Sequence, residues 1–447
     1  MRRIHLNRLS ATLVALACAL ASSVGWGQSF SPGLKLVFRE AHDQKNDLAR
    51  YVYLGRKIPM AQPDELPFLY QLYAFTENEL GLYNEALRDF PIRSAPIKNL
   101  VLPNPENWTA VNAASAIAAS VGDRRLVMIN EAHHDAHTRE LTLQLLPKLR
   151  AKGFKYFAAE ALGNDEGLAK RGYPVWSTGS EYLHEPLYGE IIREALRLGF
   201  TVVPYDSDSP GVQDRERNQA NNLFNRTFKV DPAAKVFVHG GFAHIDRAPG
   251  RLGKIQPMGM LLGKLIGQLP LSIDQTQFRE QFPNVDPAYV ALTQSFKPSG
   301  PTVLIEKGSA NLWSAAPDLY NVSVILPPER RPSLASGAVH SEVIVSDTNR
   351  AFPMVAHIVN TQRPDWIQLG GARKPVRISS LLCKAVVPCV IEARYEKEAA
   401  DAIPADRYAF VHPNSAGALF LSPGRYRISA RDADGKAISE RTIEVQH

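Results

Sequence analysis

Apolar and polar positions alternate in a regular way along the middle of the chain. A short apolar run at 126–129 is followed by leucines at helical spacing over 141–149, and a second run at 155–159 comes after Gly153. Further apolar runs, with helical patterns between them, recur at 200–204, 235–238, 271–273, 302–305 and 322–326. Strands that alternate with helices are typical of an α/β domain whose parallel sheet is covered on both faces.

Different patterns flank this middle part. Between residues 30 and 98 the apolar positions recur at helical spacing, and the proline- and asparagine-rich stretch 100–107 then marks a boundary. From about 335 short alternating runs are separated by Gly, Pro and Asn, and Asp434-Gly435 between two such runs is a strong hairpin signal. We therefore predict an α/β core with a largely parallel sheet, a helical N-terminal lead-in and a C-terminal antiparallel β-sandwich.

These patterns divide the chain into four predicted segments. They are a signal peptide at 1–27, a helical N-terminal region at 28–108, an α/β catalytic-like domain at 109–332 and a C-terminal β-sandwich domain at 333–447. The first segment has a basic start, an apolar stretch at 11–21 and small residues after it, which is the pattern of a secretory signal too short for a stable membrane anchor. We expect a periplasmic or secreted protein with no transmembrane anchor after signal removal.

Charge and cysteine content support this assignment. Loss of Arg2, Arg3 and Arg8 with the signal peptide lowers the formal charge from +6 to +3, so the mature chain is only mildly basic and nucleic acid is not an expected partner. Cys383 and Cys389 lie close together in sequence, and in an exported protein we expect them to form a disulfide.

Ionisable side chains follow three of the predicted strands. Glu131 and His133 follow the first, Glu160 follows the second, and His239 and His244 lie at the end of a third. Ligands in parallel sheets bind outside the carboxyl ends of the strands, so these side chains are candidates for one site. An acid and an imidazole on one rim can bind a divalent metal or divide acid and base work.

The histidines of the first loop leave two arrangements open. On an extended backbone Glu131 and His133 share a face and His134 points elsewhere, whereas a chain that curls into the next helix makes His133 and His137 an i, i+4 pair. His133 belongs to the site in both arrangements. A capped loop with solvated histidines is the structural alternative.

Other candidates also have ordinary structural interpretations. Glu160 could be a buried acid paired with an arginine, and His239 could be a core histidine. Arg215, Glu216 and Asn222 fit a solvated helix face when taken alone.

Common catalytic motifs are missing from the sequence. It contains no Gly-x-Ser-x-Gly elbow, no phosphate loop and no His-Glu-x-x-His. The expected chemistry therefore activates water directly, with a bound metal or with His as general base.

The motifs together resemble the superfamily that contains the erythromycin esterase-like proteins, the ChaN-like haem-uptake proteins and the Tiki/TraB proteins. The shared pattern is a strand ending in Gly-Glu-x-(x)-His, a helix, a strand ending in Glu, and a later strand closing on a His. The matching segments here are Asn130-Glu131-Ala132-His133-His134, Ala159-Glu160, RERNQANNL and VFVHGGFAHI. The resemblance covers about residues 120–330, and Asn130 stands where the superfamily usually has Gly.

The resemblance implies a core site of Glu131, His133 or His134, Glu160 and His244, with His239 next. We predict catalytic roles for Glu131, His133, His134, Glu160 and His244, cofactor binding by His239 and Arg215, and metal ligation by Glu131, His133 and His244.

The predicted function is that of an exported hydrolase that cleaves an ester or amide of a small-molecule or peptide substrate. Mixed oxygen and nitrogen donors without Cys suit Zn, Mn, Co or Fe as a divalent metal. The alternative is a ChaN-like protein that binds haem or metal without catalysis, since histidines can ligate haem iron axially.

Overall fold

The structure, a computed structural model, describes residues 30–281, 285–329, 359–360 and 363–446. The predicted signal peptide at 1–27 lies outside the described residues, as does the predicted start of the C-terminal domain at 333. Within the described ranges, no helix has both the length and the apolar character needed to cross a bilayer.

The N-terminal part of the described chain is helical, as the apolar spacing predicted. Its helices are α1 (Pro32–His42), α2 (Asp47–Lys57), α3 (Leu66–Glu79) and α4 (Tyr83–Asp89), with a 3₁₀ turn at Ile58–Met60. Ser31 and Asn46 cap α1 and α2, because their side-chain oxygens accept hydrogen bonds from backbone N–H groups of the first turn. The helices share an apolar core to which Phe38 and Phe75 contribute.

An eight-stranded, mostly parallel sheet forms the centre of the protein, which confirms the predicted α/β core. Its strands are β1 (Trp108–Asn112), β2 (Leu126–Glu131), β3 (Tyr156–Ala159), β4 (Thr201–Pro204), β5 (Val236–Gly241), β6 (Leu271–Phe278), β7 (Thr302–Glu306) and β8 (Val322–Ile325). Their order across the sheet is β1-β7-β8-β6-β2-β5-β3-β4. Strand β7 runs antiparallel to both of its neighbours. Strand β1 was not predicted, and it pairs with β7 at the edge of the sheet.

The position of β5 is the topological feature that assembles the site. Strands β2 and β3 follow one another along the chain, yet β5 lies between them in the sheet. His239 of β5 pairs with Ile129 of β2 on one side and with Ala159 of β3 on the other. The carboxyl ends of all three strands are therefore neighbours, which places Glu131, Glu160 and the residues after β5 at one edge.

Helices cover both faces of this sheet. They are α5 (Ala113–Ser120), α6 (His137–Ala151), α7 (Leu168–Arg171), α8 (Pro186–Arg197), α9 (Val212–Arg226), α10 (Met258–Ile266) and α11 (Pro287–Phe296), with 3₁₀ turns at Trp176–Thr178 and Glu181–His184. Alternate residues of β2 point to opposite faces of the sheet and pack against the helices on each face. Ile129 packs in a core with residues of α6 and α8, whereas Met128 packs in a second core with residues of α9 and α10.

The C-terminal part contains two small sheets, antiparallel except at one short strand. The strands are β9 (Val359–Asn360), β10 (Lys374–Ser379), β11 (Cys389–Tyr395), β12 (Asp406–Phe410), β13 (Ser415–Leu421), β14 (Gly424–Asp432) and β15 (Ala437–Val445). One sheet has the order β10-β13-β9 and the other β12-β11-β14-β15, and β9 pairs with β13 in parallel. The predicted hairpin joins β14 to β15, with Gly435 at a φ of +78°. Cys383 and Cys389 form the predicted disulfide.

Candidate functional site

Glu131, the last residue of β2, forms the centre of a buried polar cluster. Its Oε1 lies 2.6 Å from His133 Nδ1, and its Oε2 accepts a hydrogen bond of 2.8 Å from Arg139 Nε. Arg139 also donates to Glu185 over 2.9 Å, so one buried guanidinium joins two carboxylates. Helix α6 begins only at His137. Residues 132–135 form a turn in which the Asp135 N–H donates to the Ala132 backbone oxygen over 2.8 Å, so the chain adopts neither the extended nor the helical arrangement, and the turn itself brings His133 to Glu131.

The charge state of Glu131 fixes the tautomer of His133. Burial raises the pKa of the Glu131 carboxyl, but Arg139 and His133 outweigh that effect and lower the pKa to about 2. The ionised carboxylate can only accept, so His133 Nδ1 carries the hydrogen of their shared bond. In the neutral imidazole the lone pair is then on Nε2.

Aromatic rings enclose the His133 imidazole. Tyr182 stacks on it at a centroid distance of 4.1 Å, and Phe75 and Phe242 meet it edge-on at 5.9 and 5.2 Å. Asn78 Nδ2 donates to the backbone oxygen of His133 over 3.0 Å. Because Phe75 and Asn78 belong to α3, the helical lead-in helps to hold the loop after β2 in place.

Gly241 brings the ends of β2 and β3 into contact. A Cβ atom at Gly241 would lie 2.7 Å from His133 Nε2 and 3.1 Å from Glu160 Oε2, so only glycine leaves room for both side chains. The backbone N–H of Gly241 donates to Glu160 Oε2. His133 and Glu160 therefore face each other across this glycine.

Glu160 connects the histidine after β5 with α9. Arg215 Nη2 donates to Glu160 Oε1 over 2.7 Å and to Asp206 over 2.9 Å. His244 Nε2 lies 3.4 Å from the same Glu160 oxygen, and its Nδ1 lies 2.6 Å from Glu216 Oε1. Arg215 and Glu216 are buried rather than on the solvated face that their spacing alone allows.

These contacts set the charges of the Glu160 cluster. Burial lowers the pKa of His244, but Glu216 and Glu160 outweigh it and raise the pKa well above its usual value. Burial also raises the pKa of Glu160, whereas His244 and Arg215 hold it well below its usual range. Glu160 is therefore an ionised carboxylate that lies between the His244 imidazolium and the Arg215 guanidinium.

His239 lies beneath this site rather than in it. It is completely buried within β5, its Nδ1 lies 2.9 Å from Thr142 Oγ1, and its Nε2 has no hydrogen-bond partner among the described residues. Burial is the main reason that its pKa falls to about 4. The imidazole is thus neutral near pH 7, as the core-histidine interpretation expects.

His239 should make the fold sensitive to acid between pH 6.5 and 4. In this window the unfolded histidine binds a proton that the folded one excludes, so its stabilising contribution is complete above pH 6.5 and is lost as the pH falls to 4. We expect the free energy of unfolding of the native chain to fall by about 3 kcal/mol more than that of His239→Asn across this window. Urea denaturation of both proteins at pH 7, 5.5 and 4 measures the difference, and parallel pH curves would contradict it.

His134 lies outside the Glu131 and Glu160 clusters. Its Nε2 lies 3.1 Å from Arg279 Nη2, and its ring stacks on Phe90 at a centroid distance of 3.4 Å. The structure therefore does not bring His134 together with the other predicted catalytic residues, because the turn at 132–135 directs its ring toward Arg279 and Phe90.

Asn130 supports the turn that follows β5. Its Nδ2 donates to Asp274 Oδ1 over 2.6 Å and to the backbone oxygen of Phe242 over 2.8 Å. Phe242 has a φ of +44°, an uncommon conformation for a non-glycine residue that needs support from its surroundings. In this chain Asn130 thus fixes the turn between His239 and His244.

Three residues of the site were not candidates from the sequence: Asn78, Arg139 and Glu185. One local signal was available, since Glu185 precedes Pro186 and caps α8 by accepting from the N–H groups of Leu187 and Tyr188. Asn78 gave no such signal, because it reaches the site from a distant part of the chain.

Within the described part of the chain, Asp47, Glu79 and His184 form a buried group that could hold a metal ion, with ligand atoms all within 4.8 Å of one another. Arg50 and Arg407 also contact Asp47. The predicted ligands Glu131, His133 and His244 do not form such a group.

The contacts of these predicted ligands explain why they do not suit a metal. Arg139 and His133 already use both oxygens of Glu131, and His244 is protonated, whereas a metal needs neutral imidazole. The residues present at this site therefore do not fit the predicted ion.

A large cavity opens in front of Glu160. Its volume is about 1190 Å³, and its walls come from three parts of the protein. The helical lead-in contributes Arg50, the α/β core contributes Glu160 and Asp206, and the C-terminal sheets contribute Arg394 and Arg431. Glu160 thus connects the buried clusters to a space that can hold an organic molecule.

Comparisons with known proteins do not assign a family. No protein-family model and no curated protein matches the chain. A solved structure described as "Bacterial protein toxins" aligns with this chain at 16% sequence identity and a TM-score of 0.29. The alignment covers 56% of this chain and 47% of the chain in that structure. The chain thus spans less than half the length of that protein, and a likeness this low carries no argument about fold or function.

Proposed function

We propose that this chain is an exported hydrolase that cleaves an ester or amide bond of a small-molecule or peptide substrate. The observation that supports this most directly is the 2.6 Å contact between Glu131 Oε1 and His133 Nδ1. A buried carboxylate that holds one ring nitrogen turns the other nitrogen into a positioned general base. Membership of the superfamily resembled by the sequence, and export to the periplasm or beyond the cell, belong to this proposal.

In the proposed reaction His133 activates water. Its Nε2 takes a proton from a water molecule as the water oxygen attacks the substrate carbonyl, and Glu131 stabilises the imidazolium that forms. When the tetrahedral intermediate collapses, the imidazolium returns its proton to the leaving oxygen or nitrogen. The chain's own residues thus supply both proton transfers.

Positive charge near Glu160 has a role in the same reaction. Arg215 and protonated His244 lie beside the Glu160 carboxylate, and both come from elements that the sheet holds in place. Since Glu160, Asp206 and Glu216 balance these two charges, we assign Arg215 and His244 the role of holding Glu160 ionised and in place at the wall of the cavity. Glu160 itself orients them and lines the cavity through which substrate arrives.

We place any bound metal away from this reaction. The two carboxylates and one imidazole of Asp47, Glu79 and His184 are donor types that bind Zn, Mn, Co or Fe, but an ion there would have to displace Arg50 from both carboxylates and Arg407 from Asp47. The hydrolytic steps follow from His133 and its neighbours without such an ion.

Burial of the histidines favours the hydrolase over the haem-binding alternative. A haem needs an axial histidine that its iron can reach, together with an apolar surface for the ring. His133 and His244 are 4% and 5% exposed, and Tyr182 covers the face of the His133 ring. A water molecule needs far less space than a porphyrin.

We also infer that the two C-terminal sheets pack face to face as the predicted β-sandwich. The two sheets contribute to one apolar core, in which Ile378 and Leu419 of the first sheet join Ile391, Tyr408 and Ile428 of the second. Shared inner faces of this kind are the basis of sandwich packing.

A substrate panel with a chelator control tests the proposed function. The purified mature protein should hydrolyse at least one class among p-nitrophenyl esters, anilides and short peptides, and dialysis against EDTA should leave the rate unchanged. Loss of activity in EDTA that returns with added Zn or Mn would contradict the His133 mechanism. A Soret shift on haem titration that His133→Ala abolishes, without any hydrolysis, would favour the haem-binding alternative.

A further inference from the structure

A second, much smaller cavity opens beside Glu160. Its volume is about 60 Å³, and it shares Glu160, Asp206 and Glu181 with the large cavity. The apolar part of its wall consists of four side chains: Phe38, Leu72, Phe75 and Tyr182. We refer to these four residues as the apolar pocket.

The apolar pocket adjoins the proposed general base. Tyr182 stacks on the His133 ring at 4.1 Å, and Phe75 meets the same ring edge-on at 5.9 Å. Two of the four wall residues therefore touch both the pocket and His133. A group bound in the pocket lies beside Glu160, and the side chains of Tyr182 and Phe75 separate it from the His133 ring.

The wall of this pocket is well supported. Phe38, Leu72 and Phe75 come from α1 and α3 and are buried in the core of the helical lead-in. Glu181, next to Tyr182, bonds to His42 of α1 at 2.7 Å, which ties the Tyr182 turn to the same helices. Because packed cores change shape at a cost, the pocket has a defined size.

We propose that the apolar pocket selects substrates whose reacting carbonyl carries a short aliphatic group, while the larger remainder of the substrate occupies the cavity of about 1190 Å³. The effect of the apolar pocket on catalysis rests on the proposed hydrolase function. A water molecule takes up about 30 Å³ in the liquid, so the pocket has room for two or three heavy atoms. Each methylene that fits should improve the rate about fourfold through apolar burial, and a chain too long for the pocket should lose that gain.

Chain-length dependence of ester hydrolysis tests this proposal. For p-nitrophenyl acetate, propionate, butyrate, hexanoate and octanoate, kcat/KM should be highest between two and four carbons and at least tenfold lower for octanoate. Leu72→Ala enlarges the pocket and should move the optimum toward hexanoate. Leu69→Ala is the matched control, because Leu69 lies on the same helix and is buried without lining the pocket. The same optimal acyl chain length in the native chain, Leu72→Ala and Leu69→Ala would overturn the proposal.

A binding measurement separates this proposal from the proposed function. Acetamide, butyramide and hexanamide bind without being consumed on the time scale of a thermal shift, so the pocket can be probed without turnover. We expect the short amides to raise the melting temperature of the native chain and of Leu69→Ala, and hexanamide to give the largest rise in Leu72→Ala. This result would support the pocket even if no ester were hydrolysed. Ester hydrolysis with no dependence on chain length would refute the pocket and leave the hydrolase standing.

Discussion

His133→Gln is expected to keep its fold and to hydrolyse substrate about 10²- to 10⁴-fold more slowly than the native chain, the usual range for loss of a general base. The Gln amide can still donate to Glu131, so the buried carboxylate keeps a partner, but no atom remains that can take a proton from water. The loss should fall on kcat rather than on KM, because His133 acts on water and not on the bound substrate. Steady-state kinetics with the best ester of the panel, beside a circular dichroism spectrum, measure the effect.

His134→Gln is the control for this variant. His134 directly follows His133 in the same loop, is buried to a similar degree, and contacts Arg279 and Phe90 instead of Glu131. Its replacement should change kcat less than about threefold, since it removes no group from the proton path. Greater loss in His134→Gln than in His133→Gln would mean that the assignment of the base is wrong.

Arg139→Met should lower the free energy of unfolding at pH 7 by about 3–5 kcal/mol, the usual cost of removing one partner from a buried ion pair. The guanidinium is completely buried and bonds to both Glu131 and Glu185, so its loss leaves two carboxylates without their counter-charge. The same charge lowers the pKa of Glu131 to about 2. In the variant that carboxyl should protonate at a higher pH, and the loss of stability should shrink as the pH falls below 4.5.

Urea denaturation at pH 7 and pH 4 measures this effect, with Arg217→Met as the matched control. Arg217 pairs with Asp214 on the exposed face of α9 and should contribute less than about 0.5 kcal/mol. Adding Glu185→Gln to Arg139→Met should recover part of the loss, because it removes one of the uncompensated charges. A loss below 1 kcal/mol in Arg139→Met would show that the two carboxylates do not depend on this guanidinium.

The helical lead-in contributes to the site in a way that these experiments also address. Asn78 holds the backbone of His133, and Phe75 packs against its ring. The lead-in is therefore part of the site and of the apolar pocket, even though none of its residues was a candidate from the sequence.

Much of the fold and part of the site could be predicted from local pattern. Short apolar runs separated by amphipathic stretches gave the strands and helices of the core, and Asp434-Gly435 gave the last hairpin, because both signals depend on residues near one another in sequence. The rule that ligands bind at the carboxyl ends of parallel strands selected Glu131, His133, Glu160 and His244, and the structure brings these four together.

The sequence by itself determined which residues stand at the ends of the strands, but it left open whether His133 or His134 joins Glu131. Only the tertiary structure decided that β5 lies between β2 and β3, which makes Gly241 the contact between His133 and Glu160. It also decided that Arg139 and Arg215 neutralise the two acids and that Tyr182 covers the base. The physical reason is that charge state and access depend on groups within a few ångströms in space, and the neighbours of Glu160 come from positions up to 84 residues away along the chain.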